Sequence, residues 1–456
     1  MEKNVLRNTV LLSCLVLGVL LLLHFLPPFE VGGHRMRRVD LLADVRPLPE
    51  DGEGEADTLL PPPPRIAPAF ADTCPPQLTC IEDYADSARR GMSAFYRALD
   101  EAAERPVRIA YFGDSFIEGD ILTADLRALL QQRYGGCGVG YVDITSQTYA
   151  YRPTVRHSFS GWESHAWTDS TGFDARRQGI AGRYFLPAPG AYVELAGQSD
   201  YASRLDTCLR AGVFFSNRGE ARLAVRLNRG KTLRRTFAPS RYLQMAEVEG
   251  RIGRVRWTVE RADSTTFFGL FMDGARGIAL DNFSLRGSSG LSIRSIPRQM
   301  LQAFNELRPY DLVVLQYGLN IATERGSNYD RYAAGMQTTI RRLKEAFPQA
   351  AFLLVSVGDR DFRDEDGHLR TMPGIKNLVR YQQNLAAENG IAFWNLFEAM
   401  GGERGMVQFV EANPPMANRD YTHINFRGGR RLAGLLFEAL VHGKEQYDKR
   451  RAYGLE

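Results

Sequence analysis

The chain has little of what would mark a metal protein, a nucleotide-binding protein or a lipid-handling enzyme. Its five cysteines and seven histidines never gather at metal-ligand spacing, so no structural zinc site is expected. Gly230-Lys231-Thr232 has Val225 where a phosphate-binding loop needs its first glycine. Gly136-x-Gly138-x-Gly140 follows a helix-like stretch instead of joining strand to helix, so neither nucleotide fingerprint is formed. Charge of either sign is not in excess: 57 basic residues face 53 acidic ones, leaving +4 and a pI near 8.7. That balance does not call for nucleic acid, although it tolerates an acidic polymer or a lipid surface. Past the first thirty residues there is no long apolar segment of the kind that would serve as a lipase lid.

What is present begins with a membrane signal. Lys3 and Arg7 precede an uncharged run over 10–23, which extends to residue 26 and approaches the length of a spanning helix. No small-x-small cleavage site follows, and Leu11-Leu12-Ser13-Cys14, which mimics a lipoprotein box, lies too early. The expectation is an uncleaved anchor over 1–26, with the rest of the chain exported because the basic flank stays inside. His34, Arg35, Arg37 and Arg38 oppose that orientation. Residues 27–80 are Pro-rich, with acidic residues between 51 and 57 and a tetraproline at 61–64, and read as an extended tether. Within this stretch Cys74 and Cys80 are spaced for a local disulfide in an oxidising compartment, whereas Cys137 and Cys208 read as buried apolar side chains.

A helix is expected over 81–103. Strand-like runs at 107–112, 280–285, 311–317, 351–357 and 391–396 then alternate with amphipathic stretches such as 122–134, which predicts five parallel strands in an α/β fold. Between about 145 and 276 the rhythm changes to alternating patterns, clearest at 221–227 and 254–261, and an inserted β-sandwich is expected over 146–276. The α/β domain would thus comprise 81–145 and 277–445, followed by a tail over 446–456.

Three short stretches carry chemistry. Gly113-Asp114-Ser115 ends the first strand, the edge at which open parallel sheets bind ligands. Gln316-Tyr317-Gly318-Leu319-Asn320 brings a neutral carboxamide donor to the same edge, suited to a developing negative charge. Asp420-Tyr421-Thr422-His423 sets a carboxylate three residues before an imidazole, and His423 is the one histidine with such a local partner. A serine hydroxyl needs a base, and the carboxylate stabilises the imidazolium that results. In the insertion, Tyr149, Tyr151, Trp162 and Trp167 suit either sugar stacking or the core, and Arg176, Arg177 and Arg183 suit either anionic glycan or solvent.

In this order the three stretches resemble the blocks of the SGNH/GDSL-like hydrolases, over most of residues 107–440. The resemblance implies a flavodoxin-like three-layer fold, with Ser115 as nucleophile, His423 as base and Asp420 as its orienting acid. It places the oxyanion hole at Ser115, Gly287 and Asn320, with Gly290 as a substitute for Gly287. Gly119-Asp120, the glycine-rich 135–141 segment and the insertion narrow the likeness to peptidoglycan O-acetylesterases, whose insertion resembles a carbohydrate-binding module. Gly318-Leu319-Asn320-Ile321-Ala322 departs from that group's usual acidic residue after the Asn, which leaves glycan specificity open. The implied activity is serine-esterase removal of O-acetyl groups from a cell-wall polysaccharide, without cofactor or metal, in a protein held by one span in a bacterial inner membrane and facing the periplasm. Rival readings are an O-acetyltransferase using the same residues and a non-catalytic glycan-binding scaffold.

Overall fold

The computed structural model describes residues 73–86, 91–169 and 171–455, with residues 11, 12, 15, 30, 31, 34 and 35 besides. Apart from residues 11, 12 and 15, the anchor expected over 1–26 lies outside the described residues, as does most of the tether. Among those described, no helix is long and apolar enough to cross a membrane. In the unit Met1–Pro61, Glu30–Val31 pairs antiparallel with His34–Arg35. Everything else belongs to the unit Pro62–Glu456. At its start Cys74 and Cys80 are disulfide-bonded. There Trp394 Nε1 donates to the Thr79 carbonyl at 2.9 Å, and the His442 ring meets the Thr73 carbonyl at 2.9 Å. Residues 73–80 thus lie on the folded unit.

The chain runs through β1 (Glu82–Asp83), α1 (Gly91–Asp100), β2 (Pro106–Gly113) and α2 (Thr123–Tyr134). An antiparallel stretch follows: β3 (Gly140–Val142), β4 (Val155–Ala166), β5 (Arg183–Gly197), β6 (Cys208–Asn217), β7 (Ala221–Leu227), β8 (Thr232–Phe237), β9 (Ser240–Ile252), β10 (Arg254–Ala262) and β11 (Thr265–Asp273). The α/β pattern then resumes with β12 (Gly277–Ser284), α3 (Arg298–Leu307), β13 (Leu312–Gln316), α4 (Asp330–Ala346), β14 (Ala351–Val355), α5 (Pro373–Glu388), β15 (Ala392–Trp394) and α6 (Phe426–Ala452).

One sheet has the order β12-β2-β13-β14-β15-β1. Its first five strands are parallel, as the alternating runs predict, and β1 closes the edge antiparallel. Every residue of β13 (Leu-Val-Val-Leu-Gln) and β14 (Ala-Phe-Leu-Leu-Val) is buried, which is why these strands read as unbroken apolar runs instead of alternating ones. The helix expected over 81–103 is shorter, because Asp83 sits in a strand and its carboxylate accepts the Ala85 and Met92 N–H groups at 3.1 and 2.7 Å. Capturing the first turn of α1 from outside commits residues 82–83 to an extended backbone. At the other end α6 runs on to Ala452, through most of the expected tail.

The antiparallel strands form one branched network, and β3 already belongs to it through Val142 opposite Leu270. Its spine is the β4–β5 hairpin, paired from Val155/Gly197 to Ala166/Arg183 with a shift between Ser160 and Trp162. One end of β5 pairs with β10, which continues to β7 and β8, and the other touches β11, which continues to β6 and β9. Val193, Leu195, Leu223, Val225, Val255 and Trp257 from the first set share a core with Val213, Phe215, Phe267 and Leu270 from the second. Other residues turn to the α/β part: Phe214 meets Phe304 of α3 at 4.7 Å between ring centroids, and Tyr141 meets Phe283 of β12 at 4.9 Å. Each such buried ring contributes roughly 2 to 3 kcal/mol, so the two β regions are joined by a shared apolar seam.

Candidate active site

Strand β2 ends at Gly113, where an added Cβ would meet the Ile117 side chain at 2.8 Å. Glycine here lets the chain fold back so closely that Ser115 is 9% exposed and Asp114 2%. The first-strand edge does not lead straight into a helix: α2 starts only at Thr123, and a 3₁₀ turn over Glu118–Asp120 intervenes, with Gly119 and Asp120 both at positive φ. The Asp114 carboxylate accepts the Phe116 N–H at 3.0 Å and braces the turn from within.

Asp120 holds the far end of this loop. It is fully buried and accepts from Arg127 through two bonds of 3.1 Å, from Arg152 Nε at 3.0 Å, from Thr154 at 2.7 Å and from Thr123 at 2.9 Å. Burial alone would push its carboxyl up, but the two guanidinium groups outweigh this and hold it far below the usual range. Arg127 comes from α2, whereas Arg152 and Thr154 come from the segment between β3 and β4. The loop after Ser115 is therefore pinned to the antiparallel region by buried charge. Asp120 figures in the sequence only beside Gly119 as a likeness to one subfamily, and nothing local points to its partners.

His423 reaches the same edge from the loop before α6. Its Nε2 lies 3.3 Å from Ser115 Oγ, and its Nδ1 lies 2.8 Å from Asp420 Oδ2. The Nδ1–H donates to the carboxylate, leaving the Nε2 lone pair toward the hydroxyl, and serine-to-base distances at the long end are normal before substrate binds. Asp420 Oδ1 also accepts the Thr422 and His423 backbone N–H groups, each at 3.0 Å. Burial raises the Asp420 carboxyl, yet these bonds from His423 and Thr422 outweigh it and leave it lowered, so the group stays ionised. Tyr421, at φ 52°, makes the tight bend, and its carbonyl accepts the Asp361 N–H at 3.1 Å. Asn425 then caps α6 by accepting from the Arg427 and Gly428 N–H groups.

The remaining expected residues lie around this pair. Leu285 N–H donates to the Gly113 carbonyl at 2.9 Å, which carries β12 past Ser115 toward Gly287. Gly287 is exposed at φ +76° with open space about it, and among the described residues neither its N–H nor that of Ser115 has a hydrogen-bond partner. Gly290 differs: its N–H donates to Ser288 Oγ at 3.1 Å, and a Cβ there would strike Tyr317 at 2.7 Å. Asn320 Nδ2 donates to Asp114 Oδ2 at 3.1 Å and to the Ser288 carbonyl at 2.8 Å, so both its amide hydrogens are engaged. Desolvation pushes the Asp114 carboxyl up to about 6, against the Phe116 N–H, His423 and Asn320, which all favour its charge.

Among the described residues no other histidine approaches Ser115. His157 is buried against the Ile144 carbonyl and pushed down to about 4 by desolvation, and His165 stacks on Tyr184. Asp364, Asp366 and His368 are close enough together to share an ion but lie on an exposed turn. Trp162 belongs to the core, edge-on to Phe267 with Nε1 donating to the Tyr192 carbonyl, whereas Tyr149, Tyr151 and Trp167 are exposed. Arg177 donates to Thr266 Oγ1 and lies over the Tyr184 ring, Arg176 pairs with Asp174 on the surface, and Arg183 pairs with Asp143.

A polar cleft of about 360 Å³ opens along the far end of the loop that follows Ser115, at Glu118–Asp120, and neither Ser115 nor His423 lines it. Glu118, Ser284 and Arg286 line it from the α/β side, and Thr148, Ser164 and Arg183 from the antiparallel side. Ser284 pairs with Gly113 across β12 and β2, so the cleft begins at the edge that carries Ser115. Glu118 and Arg286 form an ion pair across its α/β wall. Sequence reasoning did not find this pair, since its members lie in separate strand-edge loops.

A five-stranded parallel sheet of order 2-1-3-4-5, with a serine after its first strand and a histidine before its last helix, fits the SGNH-like fold expected from the sequence. Among solved structures, a peptidoglycan O-acetylesterase shares this fold, with a TM-score of 0.67 and 21% identity over 80% of this chain and 99% of that one. A family two carbohydrate esterase from Clostridium thermocellum in complex with cellohexaose (TM-score 0.29, 11% identity, 64% and 99% of the two chains) and an acetyl xylan esterase (0.26, 18%, 36% and 81%) align too loosely for residue correspondences. No family model matches the chain, and no curated protein matches it by sequence.

Proposed function

We propose that this protein is a serine esterase that removes O-acetyl groups from a polysaccharide, with peptidoglycan as its substrate. The observation that carries this is the continuous chain from Ser115 Oγ through His423 to Asp420, set beside two unengaged backbone N–H groups. The shared fold with a peptidoglycan O-acetylesterase supports the choice of polymer, and the polar cleft suits a sugar better than an acyl chain. The antiparallel region serves in this reading as a carbohydrate-binding module. The apolar run over 10–26 anchors the protein in a bacterial inner membrane, with the enzyme in the periplasm.

Ser115 Oγ attacks the acetyl carbonyl while His423 Nε2 takes its proton, and the ionised Asp420 stabilises the imidazolium. The carbonyl oxygen becomes an oxyanion that the Ser115 and Gly287 N–H groups can receive without giving up other bonds. Asn320 completes the hole by exchanging its longer bond, to Asp114, for the oxyanion. Collapse expels the sugar oxygen, which takes the proton from His423. Water, deprotonated by the same imidazole, then releases acetate from the acyl-serine.

The test is acetate release from O-acetylated peptidoglycan and from p-nitrophenyl acetate, by the parent chain and by Ser115→Ala. Release from both by the parent, lost in the variant, is the expected outcome. Reporter hydrolysis without release from the polymer would remove peptidoglycan from the reading, and equal turnover by Ser115→Ala would remove the esterase.

A further inference from the structure

Between Arg218 and Arg261 the chain holds twelve basic residues against four acidic ones, a net of +8 in a chain whose total is +4. The pairing register sets five of these twelve on one sheet face. In β7, Leu223 and Val225 point into the core, which turns Arg222 and Arg226 outward. In β10, Val255 and Trp257 point inward and turn Arg254 and Arg256 to the same side. Arg234 of β8 stands opposite Ala224, and Arg156 of β4 stands opposite Ala196, which is itself opposite Arg254. Six arginines thus share a surface about 4.8 Å from strand to strand and about 7 Å between same-face neighbours along a strand.

The face is not neutralised by the protein itself. Glu194 lies 3.5 Å from Arg254 and 3.9 Å from Arg256, Glu260 pairs with Arg234 at 2.7 Å and Glu220 with Arg222 at 3.7 Å, so three carboxylates face six guanidinium groups. Arg156 and Arg226 have no carboxylate partner among the described residues. Arg226 stands directly opposite Arg256, and like charges at such positions cost stability. A sheet face that needed only solubility would alternate signs; this one holds a field suited to an extended polyanion.

We infer that this arginine face binds an anionic glycan polymer bearing carboxylates, and so holds the substrate of the proposed esterase on the enzyme. The inference rests on that reading for the polymer's identity. Two features favour a polymer over an anionic bilayer. The β4–β5 hairpin carries Arg156 on this face and, further along, Ser164 and Arg183 in the cleft, so one continuous support links face to cleft. The face also lacks the exposed Trp, Phe or Leu with which a protein enters a bilayer: among the described residues its one large ring, Tyr192, lies 3.6 Å beneath the Arg256 guanidinium.

The full-length chain would be sedimented with peptidoglycan sacculi, with sacculi whose carboxylates have been amidated, and with vesicles containing anionic lipid, across a range of salt. Retention on native sacculi should fall with salt, should drop on amidated sacculi, and should weaken roughly tenfold in the double variant Arg156→Gln/Arg226→Gln. Turnover of p-nitrophenyl acetate by that variant should equal the parent's, because neither arginine touches the site. Equal retention of parent and variant, equal retention on amidated sacculi, or capture by vesicles alone would overturn the inference. Salt-sensitive retention by a parent inactive on the reporter would leave the binding face standing and remove the esterase instead.

Discussion

The loop that carries Ser115 and the loop that carries His423 meet at one sheet edge but are held by opposite means. The first is buried and locked by charge: Asp114 braces its turn, and Asp120 is gripped by Arg127 and Arg152 from two different parts of the fold. The second is partly open to solvent, with the His423 and Asp420 side chains 40% and 48% exposed, and is held mainly by short-range bonds within residues 416–425, with the Asp361 N–H on the Tyr421 carbonyl as a tie from outside. The nucleophile's position is thus a property of the whole tertiary structure, whereas the base and its carboxylate form a local unit. Damage to the first loop should appear as lost stability, and damage to the second as lost turnover.

The largest effect is expected from Asp420→Asn. It removes the acceptor that fixes the His423 tautomer, and reporter turnover should fall by roughly 10³- to 10⁴-fold with an unchanged melting temperature. A loss of folding with it would show the second loop to be structural as well. Next comes Asp120→Ala, which leaves two guanidinium groups uncompensated in the interior and should lower stability by about 3 to 5 kcal/mol in chemical denaturation. A variant that unfolds like the parent would mean the clamp is dispensable.

The smallest effect concerns Asp114. A carboxyl whose pKa rises from the usual 3.8 to about 6 on folding lends its full stability below about pH 4 and loses it as pH rises through 6. Asp114→Asn removes this dependence, so its stability relative to the parent should improve by about 1.4 kcal/mol between pH 5 and pH 8. Parallel curves for the two proteins across that range would refute the buried-charge account of Asp114.

The same contrast decides what could be read from sequence. The His423 unit is written in four consecutive residues, and Gly113-Asp114-Ser115 follows an apolar strand, so both were legible. The five parallel strands were legible for the same reason, as buried runs between amphipathic helices. Strand β1 was not, because one side chain, Asp83, decides between strand and helix there. Nor was the clamp, since Asp120 lies 7 residues from Arg127 and 32 from Arg152, and only the fold brings them together. The engagement of Asn320 by Asp114 and Ser288 escaped for the same reason: a donor's availability depends on neighbours from other strands.

Intact-protein mass spectrometry during turnover of a slowly hydrolysed acetyl ester tests the meeting of the two loops most directly. A transient gain of one acetyl group, mapped to Ser115 and abolished by His423→Ala, is the predicted result. Acetylation of another residue, or unimpaired acetylation of Ser115 in His423→Ala, would contradict it.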